Sequence, residues 1–207
     1  MKDYSKVIVP KPWGKEYLLF DEFNVAGWIL HVNKGEKTSL HCHPKKKTSL
    51  IVLQGDAVIS FLTSNISISK GEKTIIREGV FHSTTALTDL VLLEIETPVD
   101  KGDLVRLVDS YGRAGKPYEV ENTPRGSLDF LKFDGLKSTT VGSSQLSLKE
   151  NETLTDDFSL VIFFEPGIVL GDVVIAGPGD CLTKRGFDKL SQSFEVNRNA
   201  RRLEINV

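Results

Sequence analysis

The chain has 207 residues, room for one large or two small domains, and its 26 basic and 28 acidic side chains leave a net charge of −2. That balance argues against a general nucleic-acid binder, which needs a basic footprint, and no apolar run approaches the ~20 residues of a membrane span. Met1 to Pro10 is charged without an apolar leader, and Cys42 and Cys181 stand far apart outside any CxxC pair, so a cytoplasmic protein with reduced, buried thiols is predicted.

In chain order the texture is almost entirely β. Ala26 to Val32, Ser49 to Leu53, Ala57 to Leu62, Ile66 to Ile68 and Leu90 to Glu96 are short apolar or alternating runs separated by Gly-, Asn- and Lys-rich turns, the pattern of a sandwich or barrel. No long amphipathic helical period appears. Ala114 to Ser127, with Gly115, Pro117, Pro124 and Gly126, is expected to be a linker or a long crossing strand. Strands are expected again at Gln145 to Leu148, Ser159 to Phe164, Ile168 to Ile175, Ser193 to Val196 and Arg202 to Ile205. The predicted organisation is residues 1–113, a linker over 114–127, and a second β unit over 128–207. A single barrel with a β extension is the rival arrangement.

Three of the four histidines are His41, His43 and His82. Side chains alternate along a strand, so an His-x-His unit aims two imidazoles one way and Cys42 the other. A third imidazole from a neighbouring strand would complete a three-nitrogen site with open positions, suited to Zn, Fe, Ni, Cu or Mn. Two exposed strand histidines and an unrelated third is the competing reading. His31, with no partner at a matching offset, is expected to be structural.

The runs Gly35-Glu36-Lys37-Thr38-Ser39-Leu40-His41-Cys42-His43, with Thr48 and Gly55 beyond, and Gly71-Glu72-Lys73-Thr74-Ile75-Ile76-Arg77-Glu78-Gly79-Val80-Phe81-His82 resemble the two motifs of the cupin family. The first of those motifs supplies His-x-His and a Glu, and the second a His after a Pro-x-Gly turn. The resemblance implies an all-β double-stranded β-helix or jelly-roll barrel with one divalent transition metal (Zn, Ni, Mn, Fe or Co) on His41, His43 and His82. Two positions depart from the pattern: Thr48 stands at the Glu ligand and Arg77 at the turn proline. The turn Gly177-Pro178-Gly179-Asp180 resembles the glycine turn of a second such motif, implying a bicupin. Its second barrel would be degenerate, because no histidine lies beyond His82.

The flanks Lys11-Pro12-Trp13-Gly14-Lys15-Glu16-Tyr17 and Asp103 to Arg113 resemble segments around the cupin domain of mannose-6-phosphate isomerases, alone or fused to mannose-1-phosphate guanylyltransferase, over about residues 10 to 115. Position by position, His43 and His82 match metal ligands of that family, His41 falls where Gln is frequent and Thr48 where Glu stands. The implied function is binding or isomerisation of a sugar phosphate or nucleotide sugar. The alternatives are an Fe-dependent three-His dioxygenase-type cupin and a non-catalytic carbohydrate-binding or sensing cupin. Whether there is catalysis stays open, as does assembly, for which a homodimer is expected.

Candidate pocket residues beside the three histidines are Thr48, Lys45, Arg77, Arg106 and Arg113. The run Lys45-Lys46-Lys47 either draws an anionic sugar derivative to the pocket or is a solvated loop, the commoner use of adjacent lysines. Arg106 and Arg113 suit ion pairs as well as phosphate contacts, and Trp13 suits the core. Glu94 and Glu96 share one face of their strand, which is expected to be the wet one; were it the barrel interior instead, one of them could act as a base. Because Thr48 supplies no charge, Thr48→Glu should add an anionic ligand beside three neutral imidazoles. Calorimetry should then show tighter Mn(II) binding, and an unchanged affinity would place residue 48 away from the ion.

Overall fold

The computed structural model describes residues 3–118, 121–155 and 157–207. Residues 1 and 2 of the N-terminal segment and 119 and 120 of the expected linker lie outside the described residues. Strands β1 (Val7–Lys11), β2 (Gly14–Glu22), β3 (Val25–Val32), β4 (Leu40–Cys42), β5 (Lys47–Gln54), β6 (Asp56–Phe61), β7 (Asn65–Ser69), β8 (Lys73–Ile76), β9 (His82–Ala86), β10 (Leu90–Thr97), β11 (Val105–Val108) and β12 (Thr123–Pro124) make up the first part of the chain. They form two antiparallel sheets, ordered β12-β1-β2-β3-β10-β5-β8 and β11-β4-β9-β6-β7. Within these, β3-β10-β5-β8 faces β4-β9-β6-β7. Counting β3 to β10 as eight consecutive strands, the first, eighth, third and sixth face the second, seventh, fourth and fifth. That is the jelly-roll order of two Greek keys, shared by cupins.

The order recurs in the second part. Its elements are β13 (Ser138–Val141), β14 (Ser144–Lys149), β15 (Leu160–Phe163), β16 (Ile168–Leu170), β17 (Val173–Ala176), β18 (Cys181–Thr183), α1 (Lys184–Ser191), β19 (Glu195–Val196) and β20 (Arg202–Asn206). Here β14-β20-β15-β18 faces β19-β16-β17, the same arrangement with no second strand among the described residues. That missing strand is the counterpart of β4, which carries His41. In each half a glycine in the left-handed region, Gly71 at φ +83° and Gly179 at φ +76°, makes the turn into the sixth position, β8 or β18.

Two details differ from the sequence expectation. The run Ile168 to Ile175 is a hairpin, because Gly171 takes φ +56° and turns β16 back onto β17. Lys184 to Ser191 is a helix, capped by the Thr183 side chain accepting from the Gly186 N–H and burying Phe187. Its eight residues are too few to show a helical period. It is not long and apolar enough to cross a membrane, and neither is any other helix among the described residues. Within the expected linker over 114–127, the described residues include β12, which pairs with β1 at the sheet edge.

The large sheet is buried on both faces. Leu18, Trp28, Leu30, Leu50, Val52 and Leu92 point into the first barrel, while Leu19, Ile29, Ile51, Leu53, Leu93 and Ile95 pack against Leu146, Leu148, Leu160, Ile162, Leu203 and Ile205 of the second half. Successive residues of one strand thus feed two different cores, as period-two alternation requires. Phe20 against Phe164 (5.2 Å between ring centroids) and Lys47 against Asp180 (2.6 Å) join the halves further. A third core around Val161, Phe163, Ile168 and Phe187 fills the second half.

Leu93→Ala removes a fully buried side chain from the shared face and should cost about 2–5 kcal/mol. Because both halves lean on that face, calorimetry should show one unfolding transition moving to lower temperature. Two separable transitions, only one of them shifted, would show that the halves fold independently.

Candidate metal centre and charged chamber

His41 on β4 pairs directly with His82 on β9 and, on its other side, with Arg106 on β11. Cross-strand partners share a face, so Arg106, His41 and His82 form a row on the inner surface of the sheet. His43, two residues after His41, returns to that face, and Cys42 is buried on the other side. Ring centroids lie 4.4 Å (His41 to His82), 5.0 Å (His41 to His43) and 5.6 Å (His43 to His82) apart. One nitrogen from each ring falls within 4.8 Å of the others.

Each imidazole is oriented by a backbone carbonyl: Nδ1 of His41 lies 2.8 Å from the Ser39 oxygen, that of His43 2.6 Å from the Asp103 oxygen, and that of His82 3.0 Å from the Val80 oxygen. A carbonyl only accepts, so each Nδ1 carries the proton and each Nε2 offers a lone pair. Fixing metal-binding tautomers in this way is what a supporting layer of hydrogen bonds does. The His43 Nε2 is buried without any hydrogen-bond partner, an uncompensated polar atom that an ion would satisfy. Burial holds the pKa of His41 well below its ordinary value and lowers His43 to about 3 and His82 to about 4, with the Lys46 charge adding to the last two. The rings are therefore neutral ligands at pH 7. The donor set fits a transition metal. His31 is on the opposite side of its sheet, stacked on Tyr17 at 5.8 Å.

The chamber beside His41 and His43 is lined with charge. Glu94 and Glu96 do not sit on a wet face: their strand β10 has none, and both point into the barrel with Trp28 and Leu92. The signal lay in the unbroken apolar run Leu90-Val91-Leu92-Leu93, which marks a strand covered on both faces. Glu96 is fully buried, accepts from the Trp28 indole at 3.0 Å, and forms an ion pair with buried Lys46. Lys46 also donates to the Asp100 carbonyl at 3.1 Å. Glu16 receives Lys11 at 3.5 Å, Lys101 at 3.4 Å and the Tyr118 hydroxyl. Burial alone would raise the Glu16 pKa, but these cations and the hydroxyl hold it down to about 2. Glu94, which takes part in no ion pair above, has a raised pKa, chiefly through burial.

The expected basic run is three separate residues. Lys45 is exposed, Lys46 is inside the barrel, and Lys47 reaches Asp180; the Asp103 carboxylate instead accepts from the backbone N–H groups of Lys45 (2.9 Å) and Lys46 (3.0 Å). Arg77 is exposed in the turn after β8, away from the chamber lining. Thr48 is buried on the inward face of β5, level with Glu96, and its hydroxyl has no partner. Arg106 and Arg113 both line the chamber. Arg106 donates to the Lys116 and Pro117 carbonyls at 2.7 and 2.8 Å, and Arg113 is fixed to buried Asp109 at 2.7 Å. Glu16 and Lys101 were not among the sequence candidates, because they come from distant segments that only folding gathers, and Glu94 and Lys46 were weighed only as part of a strand face and of a basic run.

No protein-family model matches the chain, and no curated protein matches it. Similar solved structures include KdgF from Halomonas sp. (15% identity, 44% of this chain and 83% of that one, TM-score 0.42). Others are an uncharacterized conserved protein with a double-stranded β-helix domain from Klebsiella pneumoniae (13%, 53% and 90%, TM-score 0.42) and a cupin-2 domain protein from Shewanella frigidimarina (23%, 41% and 79%, TM-score 0.37). At these scores the likeness adds nothing to the fold assignment, which the strand order carries.

Glu16 has a folded pKa near 2 against an ordinary 4.5. On acidification the unfolded chain takes up this proton first, so the contribution is complete above about pH 4.5 and disappears as pH falls towards 2. Glu16→Gln should therefore lower stability by about 3 kcal/mol at pH 7, with a smaller deficit by denaturant titration at pH 3. An equal deficit at both pH values would show that the carboxylate charge is not the source.

Proposed function

We propose that this chain is a metal-dependent cupin acting on an anionic sugar derivative, with His41, His43 and His82 holding one divalent transition metal and Glu94 moving a proton. The observation that carries it is the shared chamber, where Glu94, a carboxyl with a raised pKa and no ion-pair partner among the described residues, stands beside neutral imidazoles whose lone pairs converge. Aldose-ketose isomerisation needs that combination: a proton is taken from one carbon and returned to its neighbour by a base whose pKa approaches the working pH. A bound metal would supply Lewis-acid polarisation of the substrate oxygens.

The remaining residues have consistent roles. Lys11, Lys46, Lys101, Arg106 and Arg113 line the chamber against Glu16, Glu94 and the paired carboxylates Glu96 and Asp109, and the remaining small excess of positive charge favours an anion. The buried Lys46 to Glu96 pair sets the floor beneath Glu94, and Trp28 is locked by its bond to Glu96. The flanking resemblance to mannose-6-phosphate isomerases supports a sugar substrate, while Thr48 in place of their carboxylate predicts weak turnover of mannose 6-phosphate. Residues 128–207 serve as a packing partner without a metal site of their own.

A second reading, a three-His dioxygenase-type cupin, is favoured by one observation: the buried Thr48 leaves an all-imidazole ligand set with no anionic member. Solvent exchange separates the two. Protein loaded with Mn, Zn, Ni or Co and incubated with sugar phosphates in D₂O should place deuterium at the carbon next to the carbonyl. Glu94→Gln should abolish that exchange, by about 10²-fold or more, with metal content unchanged, whereas His43→Ala should lose the metal. Oxygen uptake by the Fe-loaded protein without exchange would establish the dioxygenase, and ligand binding with neither reaction would establish a sensor.

A further inference from the structure

Each sheet of the first barrel has an outer face. That of the large sheet is covered by the second half of the chain, whereas that of the small sheet, β11-β4-β9-β6-β7, stays open among the described residues. Its composition follows from the register. Because Arg106, His41, His82 and Ile59 point inward, the row Val108, Leu40, Ser83 and Ser60 runs outward across four strands, with Thr85 and Val58 paired in the next row.

This face is nearly free of charge. In a chain of which 26% is charged, Asp56, at a corner opposite Ser69, is the only charged side chain at the described outward strand positions. Its borders are apolar instead, since Leu62, Leu87, Val105 and Val108 are about half exposed or more. An uncharged sheet face with an apolar border marks an interaction surface.

The shape of the face says what covers it. A depression of about 270 Å³ lies among Leu40, Ser60, Phe61, Ser83, Thr85 and Val108, with Lys37 also lining it. Beside it stands Leu62, in the turn that follows β6 and, at 61% exposure, the most exposed large apolar side chain among the described residues. A knob and a hole on one face are what a two-fold axis uses, because each copy then fills the other and the assembly closes at two. A face almost without charge also meets itself without like-charge repulsion, while offering a different partner no charge to match.

We propose that the outer face of β11-β4-β9-β6-β7 docks a second copy of this chain across a two-fold axis, with Leu62 of each copy in the depression of the other. The contact stacks sheet on sheet, as the large sheet does on the second half. Five strands about 4.8 Å apart and roughly five residues long span about 24 by 17 Å. That footprint is at the small end of specific interfaces, so a dissociation constant of about 1–100 μM is expected. The histidines point away from this face, and the contact is independent of what the inner chamber binds.

Sedimentation equilibrium of the full-length protein over a concentration series tests this. The wild type should pass from monomer to dimer within that range. Leu62→Glu and Val108→Glu, both at exposed positions, should each weaken the dimer about tenfold or more, because each would bury a charge in the contact. Their unfolding temperatures, measured where the wild type is monomeric, should match the wild type. Val173→Glu, at the exposed apolar hairpin of β16 and β17, should leave the dimer intact. A monomer at every concentration, or a dimer that Leu62→Glu and Val108→Glu both leave intact, would overturn the proposal. So would a dimer that Val173→Glu dissociates as strongly as they do.

Discussion

The central strand β10 has no solvent side, and the rest of the molecule depends on that. Lying between β3 and β5, it sends Val91, Leu93 and Ile95 into the core shared by the two halves and Leu90, Leu92, Glu94 and Glu96 into the first barrel. A one-residue slip of register would exchange these sets, driving two carboxylates into an apolar core. Placement of the candidate base is therefore enforced by a hydrophobic interface on the far side of the sheet.

Carboxylates and ammonium groups are costly to bury, and the chamber offsets that cost by near-complete pairing. Glu96 has Lys46 and the Trp28 indole; Glu16 has Lys11, Lys101 and Tyr118; Lys101 also lies 3.6 Å from the Trp28 ring centroid. Such pairs add little net stability compared with apolar packing, but losing one partner leaves a stranded charge. The network consequently fixes side-chain positions around the histidines. His43 Nε2 and Thr48 Oγ1, buried polar atoms with no hydrogen-bond partner among the described residues, lie where the cupin resemblance puts metal ligands.

The second half shows what the architecture retains when the site is absent. It keeps the order of seven strands and the glycine turn at Gly179, yet among the described residues it has no strand equivalent to β4, and it has α1 where the first half runs from β8 to β9. Both changes fall on segments that carry ligands in the first half. Its four-stranded face, by contrast, keeps its apolar side, placing Leu146, Leu148, Leu160, Ile162, Leu203 and Ile205 in the core shared with the large sheet. Loss of the ligand segments is tolerated because the packed sheet, not the site, holds the halves together.

The sequence by itself determined the all-β class, most strand positions and the three histidines. These are local signals: alternation, turn glycines and motif spacing depend on residues within a few positions of each other. It also determined that His41 and His43 share a face. It did not decide which face of β10 is inside, since alternation names two faces without saying what covers them, and the covering sheet comes from residues 144–206. Nor did it separate Lys46 from Lys45 and Lys47, because three neighbours in sequence diverge according to whether the chain at each point enters the barrel, meets solvent or meets Asp180. The charged chamber drawn from Lys11, Glu16, Lys46, Glu94, Lys101 and Arg106 was decided only by tertiary structure, because its members are brought together by β-sheet pairings between segments tens of residues apart.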